Sequence, residues 1–205
     1  SFLGIVFSSR MWYNIEKNTE VCIMPDINDL KSTPAGTLMI DWTPIENHLG
    51  FQLHENIKNF YSRILGGNSK WNTIEFRMKF NPLVFIKSYC NPKFEGWFAD
   101  PESIEENSYT DVTLCALKKL DEKYLCDFFE EGFHGEWTGG NDFGRRMYLG
   151  SFYLNVGDIL LIFNNDTGNF EFDDCGYGYF EVYEDNPWGI IAEDTEEFLN
   201  KFQYE

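Results

Sequence analysis

The spacing of apolar positions changes period several times along the chain, and each change marks an element. An apolar run at 1–7 (SFLGIVF) predicts a short strand, and a polar stretch then leads to Ser32-Thr33-Pro34-Ala35-Gly36, so 1–36 reads as an N-terminal extension. The pattern sharpens at Leu38. Thr43-Pro44-x-Glu46 predicts a helix start with Thr43 as N-cap, Pro44 at the first helical position and Glu46 reaching back in a capping box. Gly50 ends that short helix, and Ile57, Phe60, Tyr61, Ile64 and Leu65 then mark one apolar face of a longer helix closed by Gly66-Gly67.

From Ile74 the period becomes two. Ile74, Phe76, Met78 and Phe80 alternate with charged residues, a half-buried strand, and Asn81-Pro82 turns the chain into a second strand, LVFI at 83–86. Residues 111–131 return to helical spacing and predict an amphipathic helix carrying Leu114, Cys115, Leu117, Tyr124, Leu125, Cys126 and Phe128, followed by a Gly-rich loop at 132–144. A meander follows: strands near 148–154, 157–165, 169–173, 179–183 and 188–192, with a turn at Asp166-Thr167-Gly168. Asp194-x-x-Glu197 starts a C-terminal helix. Consecutive strands joined by short turns predict an α+β fold. Its sheet is mostly antiparallel, flanked by N-terminal and C-terminal helices, with a helical insert at about 94–145 inside one domain spanning 37–205.

Composition adds aromatic packing and a lopsided charge. Apolar residues make up 43% and aromatics 18% of 205 residues, enough for a large core rich in flat rings. The net charge is −18: residues 1–93 hold ten Lys/Arg and eight Asp/Glu, whereas 94–205 hold six and twenty-six. So negative a field repels phosphate backbones and anionic lipids and attracts basic partners, which argues against direct nucleic-acid binding and membrane insertion. Five cysteines, an odd number with no C-x-x-C pair, read as reduced thiols of a cytoplasmic protein, with Cys115 and Cys126 on one helix face.

Three local patterns resemble the SUKH superfamily. The first is Ile45-Glu46-x-x-Leu49-Gly50-Phe51-x-Leu53 followed by Ile57, Phe60, Tyr61 and Gly66-Gly67. The second is the strand Gly157-Asp158-Ile159-Leu160 running into Asp166-Thr167-Gly168, and the third is Ile190-Ile191-Ala192 with Glu197-Phe198-Leu199. Trp42-Thr43-Pro44 and the Asn165-Asp166-Thr167-Gly168 hairpin are similar to the Syd-like branch. The likeness covers roughly 38–90 and 146–203; His54 departs from it where proline is usual, and the long insert lies outside it. It implies a small domain that acts by binding proteins: an immunity protein seated on a cognate toxin, or a Syd-like adaptor on the protein-translocation channel. It implies no cofactor, no metal and no catalytic residues.

Candidate chemistry in the residues themselves is thin. His48 and His54 flank the helix break and read as boundary histidines, while His134-Gly135-Glu136 in the predicted loop is the one acid–base pair a hydrolase would use. Asn164-Asn165-Asp166 with Asp173-Asp174 lacks the spacing of a calcium loop, and a hairpin accounts for it. Arg145 and Arg146 read as partners of nearby carboxylates. The functional expectation therefore rests on the acidic residues Glu130, Glu131, Glu136 and Asp142 of the insert and Glu171, Asp173, Asp174, Glu181, Glu184 and Asp185 of the meander, with Trp97, Trp137 and Trp188 as aromatic anchors. A basic toxin, plausibly a nuclease, is the partner such a face would take.

Overall fold

Among the described residues six strands, each antiparallel to its neighbours, lie in the sheet in the order in which they occur in the chain. The computed structural model describes residues 27–66, 73–78, 110–154, 157–173 and 188–202. The strands are β1 (Thr73–Met78), β2 (Thr110–Cys115), β3 (Arg146–Leu154), β4 (Gly157–Asn164), β5 (Phe170–Asp173) and β6 (Trp188–Ala192). The helices are α1 (Ile27–Ser32), α2 (Thr43–Leu49), α3 (Glu55–Tyr61), α4 (Glu122–His134) and α5 (Thr195–Asn200). This is an α+β fold, as the order of patterns predicts. The expected strands at 1–7, 83–86 and 179–183 lie outside the described residues.

The predicted helix over 111–131 divides into a strand and a later helix. Val112 and Leu114 are buried while Asp111 is exposed, a period of two that pairs β2 with both β1 and β3. The helix starts only at Glu122, because Asp121 is its N-cap and accepts a hydrogen bond from the Tyr124 N–H at 3.0 Å. It then runs through Gly132 to His134, where a loop is predicted, since Leu125, Phe129 and Phe133 recur every fourth residue and all are buried. Phe129 meets Trp42 edge-on at 5.8 Å and Phe133 meets Phe51 at 5.0 Å, so α4 is held by α2 and the segment after it. Cys115 and Cys126 consequently sit on different elements and not on one helix face. Both are free, half-buried thiols. Burial pushes the Cys115 thiol up to about 11. Burial also raises the more open Cys126, with smaller pushes from Glu122 and Asp127. Because the thiolate is the nucleophile, an alkylating reagent at pH 8 is expected to label Cys126 well before Cys115, followed peptide by peptide with mass spectrometry. Equal labelling rates would contradict this packing.

Helix α2 starts without the predicted box. Trp42 occupies the cap position with no side-chain cap bond, and the Thr43 N–H instead donates to Asp41 Oδ1 at 3.0 Å. Glu46 faces the next helix: its Oε1 accepts from the Leu53 N–H at 3.0 Å and pairs with Lys58 Nζ at 2.8 Å. Burial opposes the Lys58 ammonium, but the bonds to Glu46 and Glu55 outweigh it and hold its pKa above the usual lysine range. Helix α3 ends at Tyr61, one turn before the predicted Gly-Gly stop. The Ser62 carbonyl takes the Leu38 N–H at 2.7 Å, the Ser62 hydroxyl takes the Gly36 N–H at 2.7 Å, and Arg63 turns inward. Leu65 then bridges Leu117, and Gly67 lies outside the described residues.

Arg63 and Lys31 join the end of the predicted extension to the C-terminal helix. Buried Arg63 donates from Nη1 to the Thr33 carbonyl at 2.8 Å and pairs through Nη2 with Glu196; Lys31 Nζ donates to the Phe202 carbonyl at 2.8 Å. Ile27, Leu30 and Thr33 are buried, so 27–33 belongs to the core. At α5 the predicted cap forms: Asp194 accepts from the Glu197 N–H at 2.7 Å, and Glu197 accepts from the Glu193 N–H at 3.0 Å. That backbone bond, with Lys201 behind it, holds the Glu197 carboxyl below its usual range. Phe198 lies flat on Phe170 at 4.1 Å and edge-on to Phe202 at 4.8 Å, seating α5 against β5.

Two backbone features set the register of the sheet. A bulge between Tyr148 and Gly150 in β3 shifts the alternation of faces, so Met147 and Leu149 before it and Phe152 after it are all buried, and Gly150 takes φ +149° with Thr113 O 1.9 Å from where a Cβ would stand. The hairpin after β4 is tied to the helices by Asn165. Its Oδ1 accepts from the His54 N–H at 2.8 Å and its Nδ2 donates to the Gln52 carbonyl at 2.9 Å. His54 is the N-cap of α3, with Nδ1 accepting from the Asn56 N–H at 3.2 Å. Asn56 in turn donates to the Gly168 and Glu193 carbonyls at 2.9 Å each.

Candidate partner-binding surface

Helix α4 buries Leu125, Phe129 and Phe133 and turns Lys123, Asp127, Glu130, Glu131 and His134 outward, so the acidic candidates of this region share one exposed stripe. Their charges are not equally available. Asp127 is paired with Lys123 at 2.6 Å on the open surface, and Glu130 meets His48 Nε2 at 3.0 Å, both of them about half exposed. Glu131 is exposed and has no cationic partner among the described residues. Glu136, on a 3-10 turn at Glu136–Thr138, is likewise exposed and unpaired among them. Asp142 Oδ1 accepts from the Gly144 N–H at 2.9 Å and shapes the loop while remaining exposed.

Glu130 and Glu131 stand in the last turn of α4, where the terminal carbonyls already carry partial negative charge. Two carboxylates there work against the helix, and only His134 in that turn offsets them. The end of α4 is thus a place where negative potential is concentrated at some cost to stability, which a nearby cation would relieve.

Trp137 lies beside these acids. Its Nε1–H donates to the Gly132 carbonyl at 2.8 Å, and its ring stacks on Phe143 at 5.6 Å and Tyr148 at 6.2 Å. The indole is half-buried and fixed in orientation, a rigid aromatic at the margin of the acidic stripe.

Among the described residues, the meander candidates are not brought into this cluster. Asp173 and Trp188 are register partners across β5 and β6, and Asp173 also pairs with Leu160 of β4. Arg146, where the 136–145 segment enters the sheet, pairs with Asn164 at the other end of β4. Four residues along that strand amount to ~13 Å. Glu171 is corrected outright: it is buried, its carboxylate bonded to Arg146 Nε at 2.9 Å and to Asn164 Nδ2 at 2.9 Å, because register places it two strands from Arg146 on one face. Arg145 pairs with Asp166 at 2.5 Å, so both arginines meet carboxylates as expected. Asp174, Glu181, Glu184, Asp185 and Trp97 lie outside the described residues.

His134 is on the exposed end of α4 and not in a loop, with the ring of Phe133 6.3 Å away. Among the described residues no group of three His, Cys, Asp or Glu side chains is placed to hold a metal ion, and no helix is long and apolar enough to cross a membrane. His48 is the residue that sequence reasoning missed: it links α2 to the acidic stripe. Starting the helical period at Glu122 would have shown the stripe itself.

Comparison with protein-family models, curated proteins and solved structures finds no match. The patterns that resemble the SUKH superfamily fall on α2 and α3, on β4 with its hairpin, and on β6 with α5.

Proposed function

We propose that this chain is a SUKH-like binding module of the immunity type, which captures and neutralises a basic toxin protein through the acidic end of α4. The observation that carries the reading is that Glu131 and Glu136 have no cationic partner among the described residues and stand beside Glu130, Asp142 and the fixed ring of Trp137. Carboxylates held against a helix dipole gain most when a partner supplies lysine or arginine. The immunity role itself is carried by the resemblance in residue pattern, and the acidic end of α4 gives it a surface. Trp137 supplies a rigid apolar contact of the kind that concentrates binding energy at interfaces.

The test compares the wild type with a variant carrying Glu130→Lys, Glu131→Lys, Glu136→Lys and Asp142→Lys as baits in affinity capture from the native cell. The wild type is expected to retain a basic protein whose association slows as salt rises, and the variant is expected to lose it. Undiminished capture by the variant would reject this surface. Recovery of a translocation-channel component would move the reading to the Syd-like adaptor. A companion variant, Glu131→Gln, is expected to gain about 0.3–1 kcal/mol of stability at low salt in a urea titration while capturing less partner.

A further inference from the structure

Between α1, α3 and the β1–β2 pair lies a small cavity of about 10 Å³, lined by apolar side chains such as Leu30, Phe60 and Leu114 together with Tyr61 and Cys115. Space of that order admits one water molecule. Tyr61 is 3% exposed, and its hydroxyl has no protein hydrogen-bond partner. The ring is gripped edge-on by Phe60, Phe128 and Phe129, with centroids 5.0–5.4 Å away, so the hydroxyl is not free to swing towards solvent. Burial pushes the Tyr61 phenol well above its usual range, with smaller contributions from Cys115, Tyr124 and Tyr148, so the group stays a neutral donor and acceptor.

A buried hydroxyl without a partner carries a desolvation penalty that native structures relieve through protein or water. Arg63 Nε is the other such atom among the described residues, but Arg63 does not line this cavity and its remaining nitrogens are bonded. We infer that the cavity is a binding site for one ordered water molecule, held by the Tyr61 hydroxyl, with Cys115 also lining the cavity. The water completes the seam between α3 and the β1–β2 pair. This inference is independent of the proposed partner.

Tyr61→Phe keeps the ring and removes only the hydroxyl, so it tests the site with little risk to folding. In the labelled wild-type protein, nuclear Overhauser transfer from a long-lived water to the Ile74 and Leu114 methyls is expected, and in Tyr61→Phe that signal is expected to vanish. The urea midpoint of the variant should stay level or fall. No water signal in the wild type, a signal that persists in the variant, or a raised midpoint would each overturn the assignment. A raised midpoint would mean that the hydroxyl had been an unrelieved cost.

Discussion

Gly150→Ala is expected to destabilise the protein by about 4 kcal/mol, combining left-handed backbone strain with overpacking. The added methyl would stand 1.9 Å from Thr113 O and 3.0 Å from Leu114 Cα, and both are backbone atoms of the neighbouring strand. No rotamer change can relieve that contact; β2 and β3 must part. Leu149 and Phe152 on either side of Gly150 are buried, as is Leu114 opposite it, so the separation spreads to buried packing on both strands. Gly50→Ala is the control, since Gly50 has φ +77° with no atom within 4 Å of the added carbon, and it should lose only about 1 kcal/mol. Urea denaturation of both variants measures the difference, and equal losses would show that conformation alone, without the close approach of β2, governs Gly150.

Asn165→Ala is expected to lose about 2–5 kcal/mol, because the His54 N–H and the Gln52 carbonyl each lose a partner worth ~1–3 kcal/mol. The two bonds fix which way the amide faces, since only its oxygen can accept from the N–H and only its nitrogen can donate to the carbonyl. Asn165→Asp keeps the acceptor for His54 but turns a carboxylate oxygen towards Gln52 O, so it should fall between alanine and wild type. Amide hydrogen exchange resolves the locus: His54 should exchange faster in Asn165→Ala, ahead of any change in β2. Uniform acceleration along the chain would mean that the hairpin does not separately anchor the start of α3.

How much of this could be read from sequence depends on the distance over which each residue is decided. Asp194 and Glu197 cap α5 as expected because both bonds close within four residues. Glu46 shows the same local signal and does something else, because Lys58 and the Leu53 N–H, presented by the next segment, compete for its carboxylate. The stretch from Val112 to Phe128 contains leucines at spacings that suit a helix, and only pairing with β1 and β3 decides that Val112 and Leu114 belong to a strand. For the surface, residue type was legible and pairing was not. Nothing near Glu171 in sequence reveals Arg146 across β4, and nothing near Glu130 reveals His48. The sequence therefore locates the acidic region at 130–142, while the fold decides which carboxylates within it remain available.

The bond from Lys31 to the Phe202 carbonyl joins residues 171 apart in the chain. Each described strand of the sheet, by contrast, pairs with the described strand next in sequence. Closing the longer loop carries the larger entropy cost, so the seam between α1 and α5 is the part of the fold that contact order delays. Neighbouring strands can zip together before it forms. Arg63 and Lys31 are then expected to act as late fasteners: weakening them should speed unfolding more than it slows folding.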